Sequence, residues 1–379
     1  MAASSKLNDT LPVAMPLGEC NVYNAKRQDD IELARRSAPK CGRAWQNLSL
    51  RLIVVGESGM GKSTFIENIF HTYRPNTGMP EPLRQSTKLT TFLSNPDEMC
   101  ARFVVEDVDE RIRMHYYIQD TPGYGDTLDP NTRMTDIIRF IQTQNQRYLQ
   151  HEVDTSTDVA TDPRVDVCLY FIPPHRLKEI DLEFMCRLSK VVTLIPIVAK
   201  ADSMTTAELT FFKSLIGITA IERKIRFYEF SERDYADAGI HHDPVSHGFP
   251  AFAVVSSDMC AAGAKLDVFW PVRDYQWGTC EAFNRAHSDT PTLKRLLLEC
   301  GYHGVKASSL SFYQAYKETV RHQRSKKWVN PKWAIVAEWA IVAAPLIITL
   351  VALCPTWAMV AWAIVAALIG LLGVSNGKM

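Results

Sequence analysis

The chain lacks an excess of either charge, since its 379 residues include 42 basic and 42 acidic side chains. Proteins that bind nucleic acid by neutralising many phosphates usually carry a basic excess, so we expect no nucleic-acid partner. The sequence also lacks a Cys-x-x-Cys pair and a secretory apolar segment behind Met1, and its nine cysteines are an odd number. These absences argue against a disulfide framework and a zinc ribbon, and they predict reduced thiols in the cytosol.

Charged residues are also absent from one long stretch, Trp339 to Gly377, which follows the basic stretch from Arg321 to Lys332. The change of composition predicts that the chain leaves water there. Basic residues beside an apolar segment are attracted to anionic lipid head groups, and a solvated helix end is the alternative interpretation. Tryptophans, which favour membrane interfaces, are concentrated in the same part of the chain: Trp328, Trp333, Trp339, Trp357 and Trp362.

The pattern before this tail predicts an α/β protein. Residues 1–44 are polar and predict a flexible arm. Over 45–302, apolar runs alternate with amphipathic stretches, which predicts one domain built on a doubly wound, mostly parallel sheet with helices on both faces. Residues 303–332 are assigned to a helix and basic juxtamembrane linker, and 333–374 to a membrane-inserting hydrophobic segment. The predicted strands are 50–55, 114–118, 165–172, 191–198, 225–229 and 252–255. One helix is predicted to begin at Lys62, and two more are predicted at 179–188 and 207–215.

A glycine-rich loop carries the first chemical motif, because residues 56–63 fit the Gly-x-x-x-x-Gly-Lys-Ser phosphate loop between a predicted strand and helix. Its backbone N–H groups would wrap a phosphate, and the helix N-terminus adds positive potential. Lys62 should reach the terminal phosphates, and the hydroxyl of Ser63 should bind Mg²⁺. The alternative is a chance glycine-rich turn. The predicted nucleotide contacts of this loop are Gly56, Ser58, Gly59, Gly61, Lys62, Ser63 and Thr64.

A second motif, Asp120-Thr121-Pro122-Gly123, follows the predicted strand 114–118. We expect the carboxylate of Asp120 to hold Mg²⁺ through water and the N–H of Gly123 to sense the γ-phosphate. An isolated Asp-x-x-Gly is usually only a turn. Its position between the phosphate loop and the next motif favours the nucleotide site.

The third motif, Ala199-Lys200-Ala201-Asp202, has the form of the guanine-reading motif of GTPases and follows the predicted strand 191–198. The carboxylate of Asp202 can accept both N1–H and the exocyclic amine of guanine, a pair that adenine cannot supply, while the stem of Lys200 can lie along the ring. Such sites discriminate by roughly 10⁴ or more, because the wrong base leaves buried groups unpaired. The alternative role of Asp202 is a helix cap. The motif predicts GTP or GDP as the ligand.

Together these motifs resemble the septin family. The resemblance covers about residues 45–322 and implies a cytoskeletal GTPase that associates with itself, or with other septins, through two faces, one of which contains the nucleotide. It also implies that His175 lies near the partner-facing edge of the nucleotide and that Arg273 lies beside the base. The shared segments are GESGMGKST at 56–64, DTPGYGD at 120–126, LEFM at 182–185, AKAD at 199–202 and the family's own pattern Arg-x-Tyr-x-Trp-Gly-x-x-Glu at 273–281.

The sequence also departs from the septin pattern. Ser256 stands where septins usually have a glycine whose backbone lies near the base, so Ser256 is kept as a candidate base contact and its interaction stays open. The segment before Asp120 is longer than usual. The switch threonine that would bind Mg²⁺ and position water is therefore not assigned among Thr87, Thr90 and Thr91. The apolar tail replaces the usual septin coiled coil.

Hydrolysis of GTP requires groups that these motifs do not supply. Tyr124 stands where small signalling GTPases carry the glutamine that orients water, so we expect a switch threonine, an arginine or both to act. Arg84 is a candidate in cis. Arg233, placed in a loop after the predicted strand 225–229, is a candidate that would reach a neighbour's nucleotide. For each arginine the alternative is a solvated charge.

The apolar tail has three competing interpretations. As one helix, residues 339–373 would be about 52 Å long, against a membrane core of about 30 Å. A hairpin turning at Pro355 is therefore preferred to a single kinked anchor and to a buried soluble helix. Basic residues on both sides place both ends in the cytosol.

One polar stretch contains four potential metal ligands, His241, His242, Asp243 and His247. We interpret this stretch as a solvated loop, and a metal cluster is the less favoured interpretation.

Two functions follow from these residues. The first is a Mg²⁺-dependent septin-like GTPase that hydrolyses GTP and assembles through its nucleotide-containing face into dimers or filaments on the cytoplasmic face of a membrane. The second is a catalytically idle, membrane-anchored scaffold that holds GTP or GDP as a structural cofactor. Both require Lys62, Ser63 and Asp202, and they differ in whether GTP is hydrolysed.

Overall fold

The structure is a computed structural model that describes residues 45–71, 100–107, 111–124, 130–153, 162–240, 251–260 and 269–328. Within these ranges, no helix is long and apolar enough to cross a membrane. Several predictions concern residues outside the described ranges: the arm 1–44, Arg84, Thr87, Thr90, Thr91, the histidine-rich loop 241–247 and the membrane segment 333–374.

A six-stranded sheet forms the centre of the described chain, in the order β2-β3-β1-β4-β5-β6. Only the β2–β3 pair is antiparallel. Strands β4 and β5 are continuous apolar runs buried on both faces, as expected for a parallel sheet covered by helices on each side. The strands are β1 (Gln46–Gly56), β2 (Cys100–Asp107), β3 (Ile112–Asp120), β4 (Val167–Ile172), β5 (Thr193–Val198) and β6 (Phe252–Ala253).

Helices cover both faces of this sheet, and a separate two-stranded antiparallel hairpin joins β7 (Val272–Tyr275) to β8 (Gly278–Glu281). A π-helical turn, Leu296–Cys300, lies between the last two helices. The helices of the described chain are α1 (Lys62–Phe70), α2 (Pro130–Val153), α3 (Glu179–Leu188), α4 (Thr206–Glu222), α5 (Glu232–Asp237), α6 (Thr290–Arg295) and α7 (Tyr302–Trp328).

The side chains of β1 point alternately to the two faces of the sheet and contribute to a separate apolar cluster on each face. Leu52 and Val54 belong to the cluster that contains Phe65 of α1. Ile53 belongs to the other cluster, with residues of α2, α3 and α4 such as Phe184. Because successive side chains of a strand point to opposite faces, one apolar strand joins two helical layers. This arrangement confirms the predicted doubly wound domain.

The structure corrects several predicted elements. The helix 179–188 is confirmed with the same bounds, and the predicted helix 207–215 extends over 206–222. The predicted strand 225–229 is wrong: this segment makes no ladder, although the N–H of Tyr228 donates to the carbonyl of Leu194 at 2.8 Å. Strand β2, helix α2 and the β7–β8 hairpin were not predicted, because their sequences are too polar or too short for a clear apolar period.

Candidate functional site

The carboxyl end of β1 leads into a loop that turns sharply before α1. Gly61, the residue before α1, has a left-handed φ of 79°, which a residue with a side chain adopts only with strain. Lys62, the first residue of α1, is buried, and its Nζ donates to the carbonyl oxygens of Gly56 at 3.1 Å and Glu57 at 2.8 Å. The ammonium group thus lies over the loop whose N–H groups are predicted to bind phosphate.

Ser63 and Asp120 meet beside this loop, although 57 residues separate them in the sequence. The Ser63 hydroxyl donates a hydrogen bond to Oδ2 of Asp120. Burial raises the pKa of Asp120, while the Ser63 hydrogen bond and the Lys62 charge act in the opposite direction. The other oxygen, Oδ1, is buried without a hydrogen-bond partner among the described residues. A hydroxyl beside a carboxylate with an unused oxygen is the hard oxygen donor set that suits Mg²⁺.

Gly123 approaches the phosphate loop so closely that no side chain would fit. A Cβ at this position would lie 2.3 Å from both N and Cα of Ser58. The segment is held from two sides, because Thr121 Oγ1 donates to the carbonyl of Val54 at 2.7 Å and the buried guanidinium of Arg133 donates to the carbonyl of Gly123. Glycine at this position therefore brings backbone, and not a side chain, against the loop.

Tyr124 is turned into the protein interior. Its hydroxyl lies 3.0 Å from the hydroxyl of Tyr170 and donates to Oδ1 of Asp181, which Tyr170 also reaches at 2.8 Å. Burial, with the neighbouring Asp181 carboxylate, raises the pKa of Tyr124 well above the usual range. This protonated, buried phenol is not directed at water in the manner of the glutamine whose position it occupies in the sequence.

The predicted base-reading residues lie on the turn between β5 and α4. Asp202 is in a 3₁₀ turn, Ala201–Ser203, and Lys200 before it has a left-handed φ of 50°. Nη1 of Arg273 lies 2.9 Å from Oδ2 and 3.2 Å from Oδ1 of Asp202. The Tyr275 hydroxyl donates to the same Oδ2. The structure thus places Arg273 next to Asp202 and adds Tyr275, which sequence reasoning missed.

A cleft of about 190 Å³ lies between the phosphate loop and this turn. Ser256 lies at its wall, with Oγ 3.5 Å from the carbonyl of Gly61. Asn68 of α1 holds the next residue by two backbone hydrogen bonds, 2.7 Å to the Ser257 carbonyl and 3.0 Å from the Ser257 N–H. The cleft is lined by Met60, Gly61, Thr64, Lys200, Ser256, Ser257, Asp258 and Arg273.

The segment that contains His175 contacts both the turn that contains Asp202 and the phosphate loop. His175 has a left-handed φ of 61°, and its Nε2 lies 3.0 Å from the carbonyl of Ser203. Nearby, Lys178 lies 2.7 Å and Arg176 3.3 Å from the carboxylate of Glu57 in the phosphate loop. The exposed His175 is therefore close to the turn that contains Asp202, while its neighbours Arg176 and Lys178 contact the phosphate loop.

Arg233 is not brought to this site by any described contact. It lies on α5, not in a loop after a strand as predicted, and its side chain is 89% exposed with Nε 3.7 Å from Asp237. No group of three or more potential metal-binding His, Cys, Asp or Glu residues occurs in the part of the chain that the structure describes.

Sequence reasoning missed three residues that hold the site together: Asn68, Arg133 and Tyr275. Each contacts a group at least ten residues away in the sequence, and Asn68 and Ser257 are 189 residues apart. For Tyr275 a signal was available, because Tyr275 and Arg273 are two residues apart on β7 and so point to the same face.

Comparison with known proteins gives the same assignment along most of the chain. The Septin family model matches residues 46–330. Septin-9 of Rattus norvegicus is 33% identical over 294 residues, which cover 76% of this chain and 49% of that protein. Septin-2 of Drosophila melanogaster is 30% identical over 272 residues, covering 70% of this chain and 61% of that protein. The chain thus spans about half the length of the Septin-9 relatives that it matches.

A solved structure agrees with these matches. The crystal structure of a septin GTPase domain from Chlamydomonas reinhardtii superposes with a TM-score of 0.66 at 32% identity, covering 73% of this chain and 100% of that one. The family match extends from the first described strand through the last described helix. The glycine-rich loop, the sheet order and the paired Asp202 and Arg273 are therefore features of a chain that belongs to the septin family of P-loop GTPases.

Proposed function

We propose that this chain binds GTP and GDP with Mg²⁺ and hydrolyses GTP. One observation carries the proposal: Lys62, the Ser63–Asp120 pair and Asp202 come from distant parts of the sequence and lie at or just beyond the carboxyl ends of three parallel strands, β1, β3 and β5. Their neighbours Gly61, Thr64, Lys200 and Arg273 line the cleft at this edge of the sheet. In open α/β sheets, ligands bind at this edge. The family assignment supports guanine as the base.

The predicted nucleotide and Mg²⁺ contacts each have a role in this proposal. The N–H groups of residues 56–64 surround the phosphates, and Lys62 exchanges its contacts with loop carbonyls for phosphate oxygens. Ser63 and Asp120 would hold Mg²⁺, which neutralises charge on the β- and γ-phosphate oxygens when bound. Gly123 presents its N–H to the γ-phosphate. The base would contact Lys200, Asp202, Ser256 and Arg273, with His175 at the partner-facing edge.

A nucleotide titration of the full-length chain in mild detergent tests this proposal. Wild type should bind GDP and GTP, but not ADP or ATP, in the presence of Mg²⁺. Lys62→Ala should abolish binding, because Lys62 is the cation held on the loop carbonyls, whereas Lys178 and Arg176 pair with the Glu57 carboxylate. Lys190→Ala is the matched control at an exposed lysine. Equal affinity for ADP and GDP, or GDP binding unchanged in Lys62→Ala, would contradict the proposal.

A catalytically idle scaffold is the second candidate, and the burial of Tyr124 favours it. A phenol that donates to Asp181 leaves no water-orienting side chain at this position, so turnover must depend on other groups. Single-turnover phosphate release from bound GTP separates the candidates, because the scaffold binds GTP without releasing phosphate. If phosphate is released, Arg84→Ala and Arg233→Ala at several protein concentrations test the two arginines, and an exposed Arg233 should matter only across a dimer.

We also propose that the chain associates with itself, or with other septins, across the nucleotide face. His175 and Trp277 are exposed next to the residues proposed to read the base. A two-fold contact uses each surface twice, so a substitution there affects both halves. Sedimentation should show a GDP-loaded dimer at micromolar concentration, and Trp277→Ala should yield a monomer. A GDP-loaded wild-type monomer would contradict this proposal.

The domain assignment and the membrane location rest on the sequence. We propose a polar arm at 1–44, the GTPase domain at 45–302, a helix with a basic linker at 303–332 and a membrane-inserting segment at 333–374. Anionic lipids would attract the linker and keep the chain at the cytoplasmic face. Release of the full-length chain from membranes by alkaline carbonate would contradict stable anchoring. A tag after Met379 that is cleaved from the cytosolic side supports the hairpin, whereas a protected tag supports a single span.

A further inference from the structure

Hydrogen-bond acceptors on Asp202 are nearly all used within the protein. Each carboxylate oxygen has two acceptor positions. Oδ2 accepts from the Tyr275 hydroxyl and lies 2.9 Å from Nη1 of Arg273, while Oδ1 lies 3.2 Å from that same Nη1. Counting the residues that the structure describes, Oδ2 is therefore fully occupied, and Oδ1 retains one acceptor position.

Guanine needs one acceptor on each of these two oxygens, because its N1–H and its exocyclic amine point in parallel. Oδ1 can accept from guanine without losing Arg273. Oδ2 can accept from guanine only after one of its present partners leaves. Arg273 is the cation that this buried carboxylate needs, whereas Tyr275 donates a neutral hydrogen bond that guanine can replace in kind, so Tyr275 is the partner that guanine replaces.

We propose that Tyr275 competes with guanine for Asp202, and that the bound base releases Tyr275 from this carboxylate. The proposal rests on the proposed guanine site. The Asp202 side chain is only 1% exposed, so water does not readily replace a lost partner there. The phenol remains a donor at neutral pH, because burial and the hydrogen bond to Asp202 raise the pKa of Tyr275 to about 12.

The contact between Tyr275 and Trp277 at the tip of the β7–β8 hairpin links this exchange to the protein surface. The rings of Tyr275 and Trp277 are stacked, with centroids 4.9 Å apart and planes 8° from parallel, and Trp277 is 72% exposed. Tyr275 pairs with Gly278 across the turn, so the two rings lie on a short β7–β8 ribbon whose strands have four residues each. Release of Tyr275 by guanine therefore changes the surroundings of an exposed tryptophan on the proposed nucleotide face.

Calorimetric titration of the full-length chain with GDP and Mg²⁺ tests the competition. Tyr275→Phe removes the hydroxyl but keeps the ring, so GDP should bind about tenfold more tightly, the value expected for removing one competing hydrogen bond to a charged group. Thr279→Ala is the matched control on the same hairpin. It loses only the exposed 2.7 Å bond to Asp274 and should bind GDP like wild type.

Tryptophan emission gives a second, independent measurement. GDP should change the emission of wild type, and the change should disappear in Trp277→Phe and diminish in Tyr275→Phe. Equal or weaker GDP binding by Tyr275→Phe, with Thr279→Ala unchanged, would overturn the competition. A GDP-induced emission change that persists in Trp277→Phe would overturn the link to the hairpin tip. Failure of wild type to bind GDP would overturn the guanine site itself, and the competition with it.

Discussion

Lys306 of α7 forms an ion pair with Asp166 at the start of β4, with Nζ 2.7 Å from Oδ2. The same oxygen accepts a hydrogen bond of 2.8 Å from the backbone N–H of Arg51 in β1. Asp166 is fully buried, and burial raises the pKa of its carboxyl against the opposing effect of Lys306. One lysine thus joins a C-terminal helix to the two central strands, at the edge of the sheet opposite the phosphate loop.

Removal of this lysine charge should destabilise the fold strongly. Lys306→Met leaves the buried Asp166 carboxylate without its cation, which typically costs about 3–5 kcal/mol. Urea unfolding of the full-length chain measures the loss, with Lys190→Met as the exposed control. Because the raised pKa of Asp166 lets the carboxyl protonate as the pH falls, the loss should be smaller at pH 5 than at pH 8. A loss below about 1 kcal/mol at pH 8 would show that the ion pair is not needed.

Asp162 should contribute stability that depends on pH in the opposite direction. Burial would raise the pKa of Asp162, but its hydrogen bond to Arg164 and the nearby Lys306 charge together lower it. A lowered pKa in the folded state contributes stability that is present above the unfolded pKa of about 3.9 and is lost as the pH falls through the folded value. Asp162→Asn should therefore reduce stability at pH 7 and flatten its decline below about pH 4.

The control for this prediction is Asp237→Asn on the exposed face of α5. Unfolding midpoints of the three proteins from pH 2 to pH 7 provide the comparison. If wild type and Asp162→Asn lose stability in parallel below about pH 4, the Asp162 carboxylate makes no pH-dependent contribution.

Substitution of Asp202 by asparagine should change the preferred base. The amide would present one donor and one acceptor where guanine requires two acceptors. Xanthine has a carbonyl in place of the exocyclic amine and matches that pattern, so Asp202→Asn should bind XDP more tightly than GDP. Competition titrations with XDP, GDP and ADP measure this, and Asp258→Asn, at the cleft wall, is the control. A variant that still prefers GDP would show that Asp202 does not read the base.

Loss of Arg133 should affect GTP hydrolysis more than GDP binding. Its guanidinium holds the carbonyl of Gly123, whose N–H is proposed to meet the γ-phosphate that only GTP carries. Arg133→Met should slow single-turnover phosphate release about tenfold and leave GDP affinity near wild type. Arg139→Met, on the exposed side of the same helix, is the control. Parallel losses of hydrolysis and GDP affinity would indicate a general structural role for Arg133.

The places of the phosphate loop, Asp120 and Asp202 in the fold were predictable from the sequence, because each follows or ends a strand with a clear apolar pattern. A glycine-rich turn between an apolar strand and an amphipathic helix defines its own backbone, so residues 56–64 were identified without knowledge of distant contacts. The buried strands β4 and β5 and the helix 179–188 were predictable for the same reason, since each carries a clear apolar pattern within its own length.

By contrast, only the tertiary structure decided which side chains hold those motifs. Asn68 binds the backbone of Ser257, Arg133 binds Gly123, and Tyr275 binds Asp202. None of these polar residues stands out locally, because a hydrogen bond between distant residues leaves no periodic pattern in either segment. The sequence by itself therefore predicted which groups would bind a nucleotide, whereas folding decided which neighbours restrain them. The physical reason is that backbone turns and apolar periods depend on adjacent residues, but polar pairing depends on how the strands bring the chain together.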